Sequence, residues 1–210
     1  MRSILARTLM TTAALAVGLT TIAPIAAQAQ TLRYFDPVAR QVVTVQPPKR
    51  QYQRGPAAQY RRQIVAYDGS EAPGTIIVDA GNKFLYLIRP GGQAIRYGVG
   101  VGREGFGWSG TVRIGAKAEW PTWTPPAEMI AREPRLVEFA DGMPGGPDNP
   151  LGARALYLYQ GSKDTLYRIH GTNEPWTIGH NVSSGCIRMM NHDIIELHHL
   201  AQKGAKVIVR

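Results

Sequence analysis

Gly74-Thr75-Ile76-Ile77-Val78-Asp79, then Ala80-Gly81-Asn82, then Lys83-Phe84-Leu85-Tyr86-Leu87-Ile88-Arg89 reads as strand, turn, strand. β-Branched and aromatic residues suit a pleated surface, and a Gly-Asn step reverses the chain. The pattern repeats outward. Pro90-Gly91-Gly92 makes another turn, and Ala94 to Val101 forms a third strand. Thr111 to Ile114, Ala155 to Tyr159, Thr165 to His170 and Lys206 to Val209 follow as strands. Asn191 or Asp193 caps one helix running through Gln202, with Ile194, Leu197 and Ala201 on one face and Gly204 ending it. Many short strands, frequent Gly/Pro turns and one helix near the C-terminus predict a mainly β fold, an antiparallel sandwich or barrel with long loops.

Two stretches break the strand rhythm. Trp120 to Asp141 holds Trp120-Pro121-Thr122-Trp123-Thr124-Pro125-Pro126 and then some helical character over Ala127 to Phe139. Gly142 to Gly152 is too rich in Gly and Pro for regular structure. Long loops on a β scaffold carry binding surfaces. Trp120 and Trp123 read equally well as core anchors or as part of such a surface.

Residues 1–29 read as a secretory signal peptide. Arg2 and Arg7 precede an apolar stretch from Leu9 to Ala27, and Ala27-Gln28-Ala29 supplies small residues for cleavage. No cysteine follows, which argues against a lipid-modified terminus, and the mature protein is expected in the periplasm or cell envelope without a stable membrane anchor. The formal charge of +9 is unevenly spread. Residues 31–66 carry seven basic side chains and one acid, whereas 67–210 carry 15 basic and 14 acidic residues. The segment 30–71, with Pro47-Pro48 and scattered Arg, therefore reads as a basic, disordered tail or linker. It serves as a solvated spacer or as a loose attachment to an anionic surface. The near-neutral remainder, 72–210, is long enough for one core, and nucleic acid is not an expected partner.

Gly100-Val101-Gly102-Arg103-Glu104-Gly105 satisfies a dinucleotide fingerprint in letters only. Such a fingerprint must open a helix, but Phe106-Gly107-Trp108-Ser109-Gly110 leads back into a strand. The five histidines all lie between His170 and His199, and they lack the paired spacing of a zinc site beside a single thiol. Neither a cofactor nor a metal is expected.

The chemistry concentrates in Ile169-His170-Gly171-Thr172-Asn173 and Ser183-Ser184-Gly185-Cys186-Ile187-Arg188-Met189. Cys186 is the only cysteine and follows His170 by sixteen positions. A lone thiol in an exported chain, set in a polar Gly-containing turn, reads as a nucleophile. His170 at a strand end suits the general base that takes its proton and returns it to a leaving amine. No Asp follows closely, so the Gly171 backbone carbonyl is the expected orienting acceptor for the imidazole. Amides around Gly185 and Cys186 suit an oxyanion hole. Arg188 either binds a substrate carboxylate or supports the turn through an ion pair.

These residues closely resemble the L,D-transpeptidases of the YkuD-type family. His170-Gly171, Ser183, Gly185-Cys186, Ile187-Arg188-Met189 and Asn191 match that family's signature, whereas Ser184 stands where a His is usual. The resemblance extends to Gly74–Asp79 and to Asn149-Pro150-Leu151-Gly152-Ala153-Arg154-Ala155-Leu156, and so covers about residues 72–210. It implies that Cys186 attacks the peptidoglycan stem bond before the terminal D-Ala. A thioester would then pass to an amine, either another stem's diaminopimelate or an envelope protein. Water as acceptor would make an L,D-carboxypeptidase. Papain-like peptidases place Cys before His, and sortases lack this short Ser-Gly-Cys spacing. The rival from another class is a non-catalytic wall-binding module, its groove lined by Trp108, Trp120, Trp123 or Trp176.

Overall fold

The computed structural model describes residues 32–36, 41–45, 55–104 and 106–210. The export signal expected over 1–29 lies outside them, as do 37–40 and 46–54 of the basic segment. The chain divides into two units, 1–50 and 51–210. In the first, β1 (Leu32–Asp36) pairs antiparallel with β2 (Gln41–Val45).

The second unit contains β3 (Gln63–Ala66), β4 (Ile76–Asp79), β5 (Phe84–Arg89), β6 (Gln93–Gly98), β7 (Val101–Gly102) and β8 (Gly110–Glu119). β9 (Arg154–Gln160), β10 (Lys163–His170), β11 (Asn181–Ser183), β12 (Ile187–Arg188) and β13 (Lys206–Val209) follow, with α1 (Ala127–Arg132) and α2 (Asn191–Leu200). Nine strands form one sheet in the order β12-β10-β9-β8-β13-β4-β5-β6-β3, and β11 pairs separately with β7. The mainly β expectation holds, with one refinement. β4 and β13 run parallel, as do β10 and β12, the latter joined by a crossover over residues 171–186 in place of a hairpin.

Alternation builds the core. Ile76, Val78, Leu85, Ile114, Leu156, Leu158 and Ile169 are fully buried from the sheet, and Ile194 and Leu197 of α2 pack onto the same cluster. Trp120 stays out of it, 47 % exposed, and Trp123 is half-buried, its backbone paired with Met143. Neither tryptophan is a core anchor.

The segment read as disordered tail needs correction. β1 and β2 pair within it, and β3 completes the sheet edge against β6 well before residue 72. Tyr60 packs on the Phe84 ring at 5.6 Å and covers Gly98 and Gly179, where a Cβ on either glycine would strike it. The Arg62 guanidinium donates twice to Glu196, at 2.9 and 3.1 Å, and the buried Tyr97 hydroxyl donates to the same carboxylate at 3.0 Å. A charge that looked solvated is tied to α2, and a four-residue strand between polar neighbours was too short to show a period.

Candidate active site

The site forms where β10 and β12 run side by side. Their register sets Ile169 opposite Ile187 and His170 opposite Arg188. Ile169 and Ile187 enter the core, so the alternation of strand side chains turns His170 and Arg188 to the other face. Cys186 lies two residues before Arg188, one step outside β12.

The turn carrying the thiol is held from within. The Ser183 hydroxyl donates to the Cys186 carbonyl at 2.6 Å and accepts the Gly185 N–H at 3.2 Å. Gly185 has φ +110°, and a Cβ there would enter the Tyr167 ring. Its carbonyl accepts the Trp108 indole N–H at 3.1 Å, and Trp108 stacks on Tyr167 at 4.6 Å. The Gly185 N–H expected to serve an oxyanion hole is thus engaged with the Ser183 hydroxyl in this structure.

The fingerprint-like glycines brace this turn from outside. Gly100 and Arg188 exchange backbone hydrogen bonds at 2.9 and 2.8 Å, and the Arg103 N–H donates to the Ser183 carbonyl at 3.0 Å. A Cβ on Gly102 would strike the Phe106 carbonyl and crowd the Gly185 Cα. The glycines allow a strand to lie against the thiol turn, and they open no helix.

His170 is buried, with Nδ1 2.6 Å from the Gly171 carbonyl. A carbonyl can only accept, so Nδ1 carries the proton and Nε2 keeps its lone pair. Burial, with the positive charge of Arg188 and then Arg168 nearby, pushes the imidazole down to about 4. Burial also pushes the Cys186 thiol up, offset in part by the Arg168 backbone N–H and by the Arg168 and Arg188 charges. At neutral pH the pair is therefore thiol and neutral imidazole. The thiol contacts the Leu166 carbonyl at 3.9 Å. Leu166 is held at φ +63° in a bulge of β10 between Asp164 and Arg168.

Both nearby guanidiniums are occupied. Arg188 pairs with Glu174 at 2.6 Å, and Arg168 pairs with Asp164 at 2.7 and 2.9 Å while lying over the Tyr157 ring. Of the two expectations for Arg188, the internal ion pair is the contact present in this structure. Glu174 was missed in the sequence, although it is the acid nearest His170 in the connecting loop. Beside the thiol turn, a cavity of about 460 Å³ is lined by Trp108, Tyr167, Leu166, Thr165, Gln160 and Lys163, among others.

A sequence model of the L,D-transpeptidase catalytic domain, YkuD, matches residues 73–209. The chain belongs to the YkuD L,D-transpeptidase family. Among curated relatives, the probable L,D-transpeptidase YbiS of Escherichia coli K12 is 36% identical over 139 residues, 64% of this chain and 43% of its own length. The probable L,D-transpeptidase ErfK/SrfK of the same strain is 37% identical over 141 residues, 63% of this chain and 42% of its own length. The chain thus spans less than half the length of these relatives. A Brucella melitensis crystal structure described as a probable carnitine operon oxidoreductase is 48% identical, with a TM-score of 0.51 over 73% of this chain and 96% of that one. The Ldtfm–avibactam carbamoyl enzyme shares the fold at 18% identity, TM-score 0.51, over 67% of this chain and 49% of its own. In this YkuD-family chain, His170 and Cys186 both fall inside the matched region.

Proposed function

We propose that this chain is a peptidoglycan L,D-transpeptidase of the cell envelope, with Cys186 as nucleophile and His170 as general base and acid. The observation that carries the reading is the pairing of β10 with β12, which sets His170 opposite Arg188, two residues from Cys186, with Nδ1 of the imidazole tied to the Gly171 carbonyl. His170 Nε2 takes the thiol proton as sulfur attacks the carbonyl joining the third stem residue, meso-diaminopimelate, to D-Ala. The pair starts neutral, so proton transfer accompanies attack. The negative charge developing on substrate oxygen then offsets the positive charge forming on the imidazole. The Cys186 N–H serves as a donor to that oxygen. His170 returns the proton to the D-Ala amine, which leaves, and a thioester remains on Cys186.

An amine resolves the thioester, with His170 again taking a proton. Another stem's diaminopimelate or an envelope protein supplies this amine, and Arg188 with Glu174 keeps the thiol turn in place throughout. Residues 1–29 export the chain to the periplasm and are then removed. Among the described residues no helix is long and apolar enough to cross a membrane.

The test is mass spectrometry of products from the purified protein with a disaccharide-tetrapeptide, beside Cys186→Ala. Loss of D-Ala with a diaminopimelate-linked dimer, absent in the variant, is the expected result. A hydrolysed tripeptide alone would move the reading to a carboxypeptidase. Product formation that survives Cys186→Ala would overturn the mechanism. A wild type that binds sacculi without turnover would favour the wall-binding module.

A further inference from the structure

Asn191 is the first residue of α2, and the cap position expected for it or for Asp193 is taken by Met190. The half-buried Asn191 side chain instead turns back toward the catalytic strand. Asn191 Oδ1 accepts two backbone N–H groups from separate segments, Ala153 at 3.0 Å and Thr172 at 3.2 Å. The Thr172 N–H belongs to the same planar peptide as the Gly171 carbonyl, and in a trans peptide those two groups point in opposite directions. That carbonyl is the acceptor 2.6 Å from His170 Nδ1. Fixing one end of the peptide plane therefore aims the other end at the imidazole.

The surroundings are shaped for this contact. A Cβ on Gly171 or on Gly152 would run into Asn191 Oδ1, and Gly152 sits at φ +62°. The flanking groups have other anchors. The Gly171 N–H donates to the Arg154 carbonyl at 3.0 Å, and the His170 carbonyl accepts the Met189 N–H at 2.8 Å. The Gly171–Thr172 peptide is the one whose N–H is held by a side chain, and it is the one that touches the base.

We propose that Asn191 is a positioning residue that sets the His170 tautomer, holding the proton on Nδ1 and the lone pair on Nε2, through the Gly171–Thr172 peptide. The inference rests on reading His170 as the base, but its first readout does not need turnover. Asn191→Leu removes the acceptor at similar volume. Asn191→Asp keeps an oxygen for both N–H groups and adds a negative charge.

Imidazole nitrogen-15 spectra of the full protein should show one Nδ1–H tautomer for His170 in the wild type and in Asn191→Asp. In Asn191→Leu they should show a mixture. With tetrapeptide donor, Asn191→Leu should lose roughly ten- to a hundredfold in kcat, the range expected of a misplaced catalytic group, with KM little changed. Asn191→Asp should recover most of that loss and move the acid limb of the pH profile upward, because a nearby carboxylate favours the imidazolium.

A single Nδ1–H tautomer in Asn191→Leu overturns the proposal, whatever happens to kcat. So does an Asn191→Asp protein that is folded but as slow as Asn191→Leu. If Asn191→Leu does not fold, the tautomer and the pH limb of Asn191→Asp decide. A mixed tautomer there, or an unmoved limb, counts against the proposal. Should the wild type give no Cys186-dependent product, the transpeptidase reading fails while the spectra still judge this one.

Discussion

Replacing His170 by glutamine removes a buried base, and the pH dependence of folding stability should report its loss. In the folded chain the imidazole is held down to about 4, chiefly by burial and next by the Arg188 charge. In the unfolded chain it titrates near the usual value of about 6.5. Between these values the unfolded state binds the proton and the folded state does not, so stability declines as pH falls. Above about 6.5 the contribution vanishes. The slope is about 1.4 kcal/mol per pH unit, which integrates to about 3 kcal/mol across the whole window.

Asp193 works in the opposite direction. Its carboxyl is buried and pushed up to about 6. The folded state therefore takes up its proton first, and Asp193 adds stability as pH falls through the same range. The wild-type profile alone is flattened by this opposition. The difference between wild type and His170→Gln isolates the histidine. Urea unfolding of both proteins, in half-unit steps from about pH 7.5 to about 4.5, should give a constant difference above about 6.5. That difference should shift by about 2.5 kcal/mol, to the disadvantage of the wild type, by about pH 4.5. Parallel curves would refute the buried, neutral imidazole.

Three further outcomes are expected. The acid limb of kcat/KM should fall near pH 4 and not near 6.5, because His170 stays unprotonated down to that range; a limb near 6.5 in a pH–rate profile contradicts this. Gly185→Ala should destabilise by about 1–3 kcal/mol, since alanine there must adopt φ +110° and displace the Tyr167 ring, and calorimetry would measure it. Asn149→Leu should cost about 2–3 kcal/mol and raise proteolysis between residues 120 and 152. Its amide donates to the carbonyls of Pro121, Met143 and Pro144, so loss of that hub frees the loop.

The pair proposed for catalysis stood out in the sequence because each member lies in a short run whose neighbours shape its surroundings. Gly171 supplies its carbonyl from the position next to His170, and Ser183 ties the turn that ends at Cys186. The long strands were legible from their alternation, and the helix expected to Gln202 ends at Leu200. Contacts between distant residues were not. Nothing local in Asn191 says that its oxygen turns from the helix to the amides of Ala153 and Thr172. Glu174 declares itself only through Arg188, and Arg62 only through Glu196. The two-residue strands β7 and β12 have no periodicity to detect, and they place Gly100 against Arg188. The strand Thr111–Ile114 proves to lie in the first half of a ten-residue β8, its Gly115 kept small by the Tyr159 ring.

The protonated state of Cys186 has a consequence for the thiol's survival. Peroxides, glutathione disulfide and alkylating agents all react with the thiolate, and a thiol pushed up by burial offers little of it. The chain has no second cysteine to form an internal disulfide or to resolve a sulfenic acid. In the oxidising envelope proposed for this chain, a permanently ionised nucleophile would be exposed to oxidation throughout. Under the proposed mechanism, a sulfur that becomes anionic only as a substrate carbonyl receives it is a chemical safety catch for a single thiol with no partner to repair it.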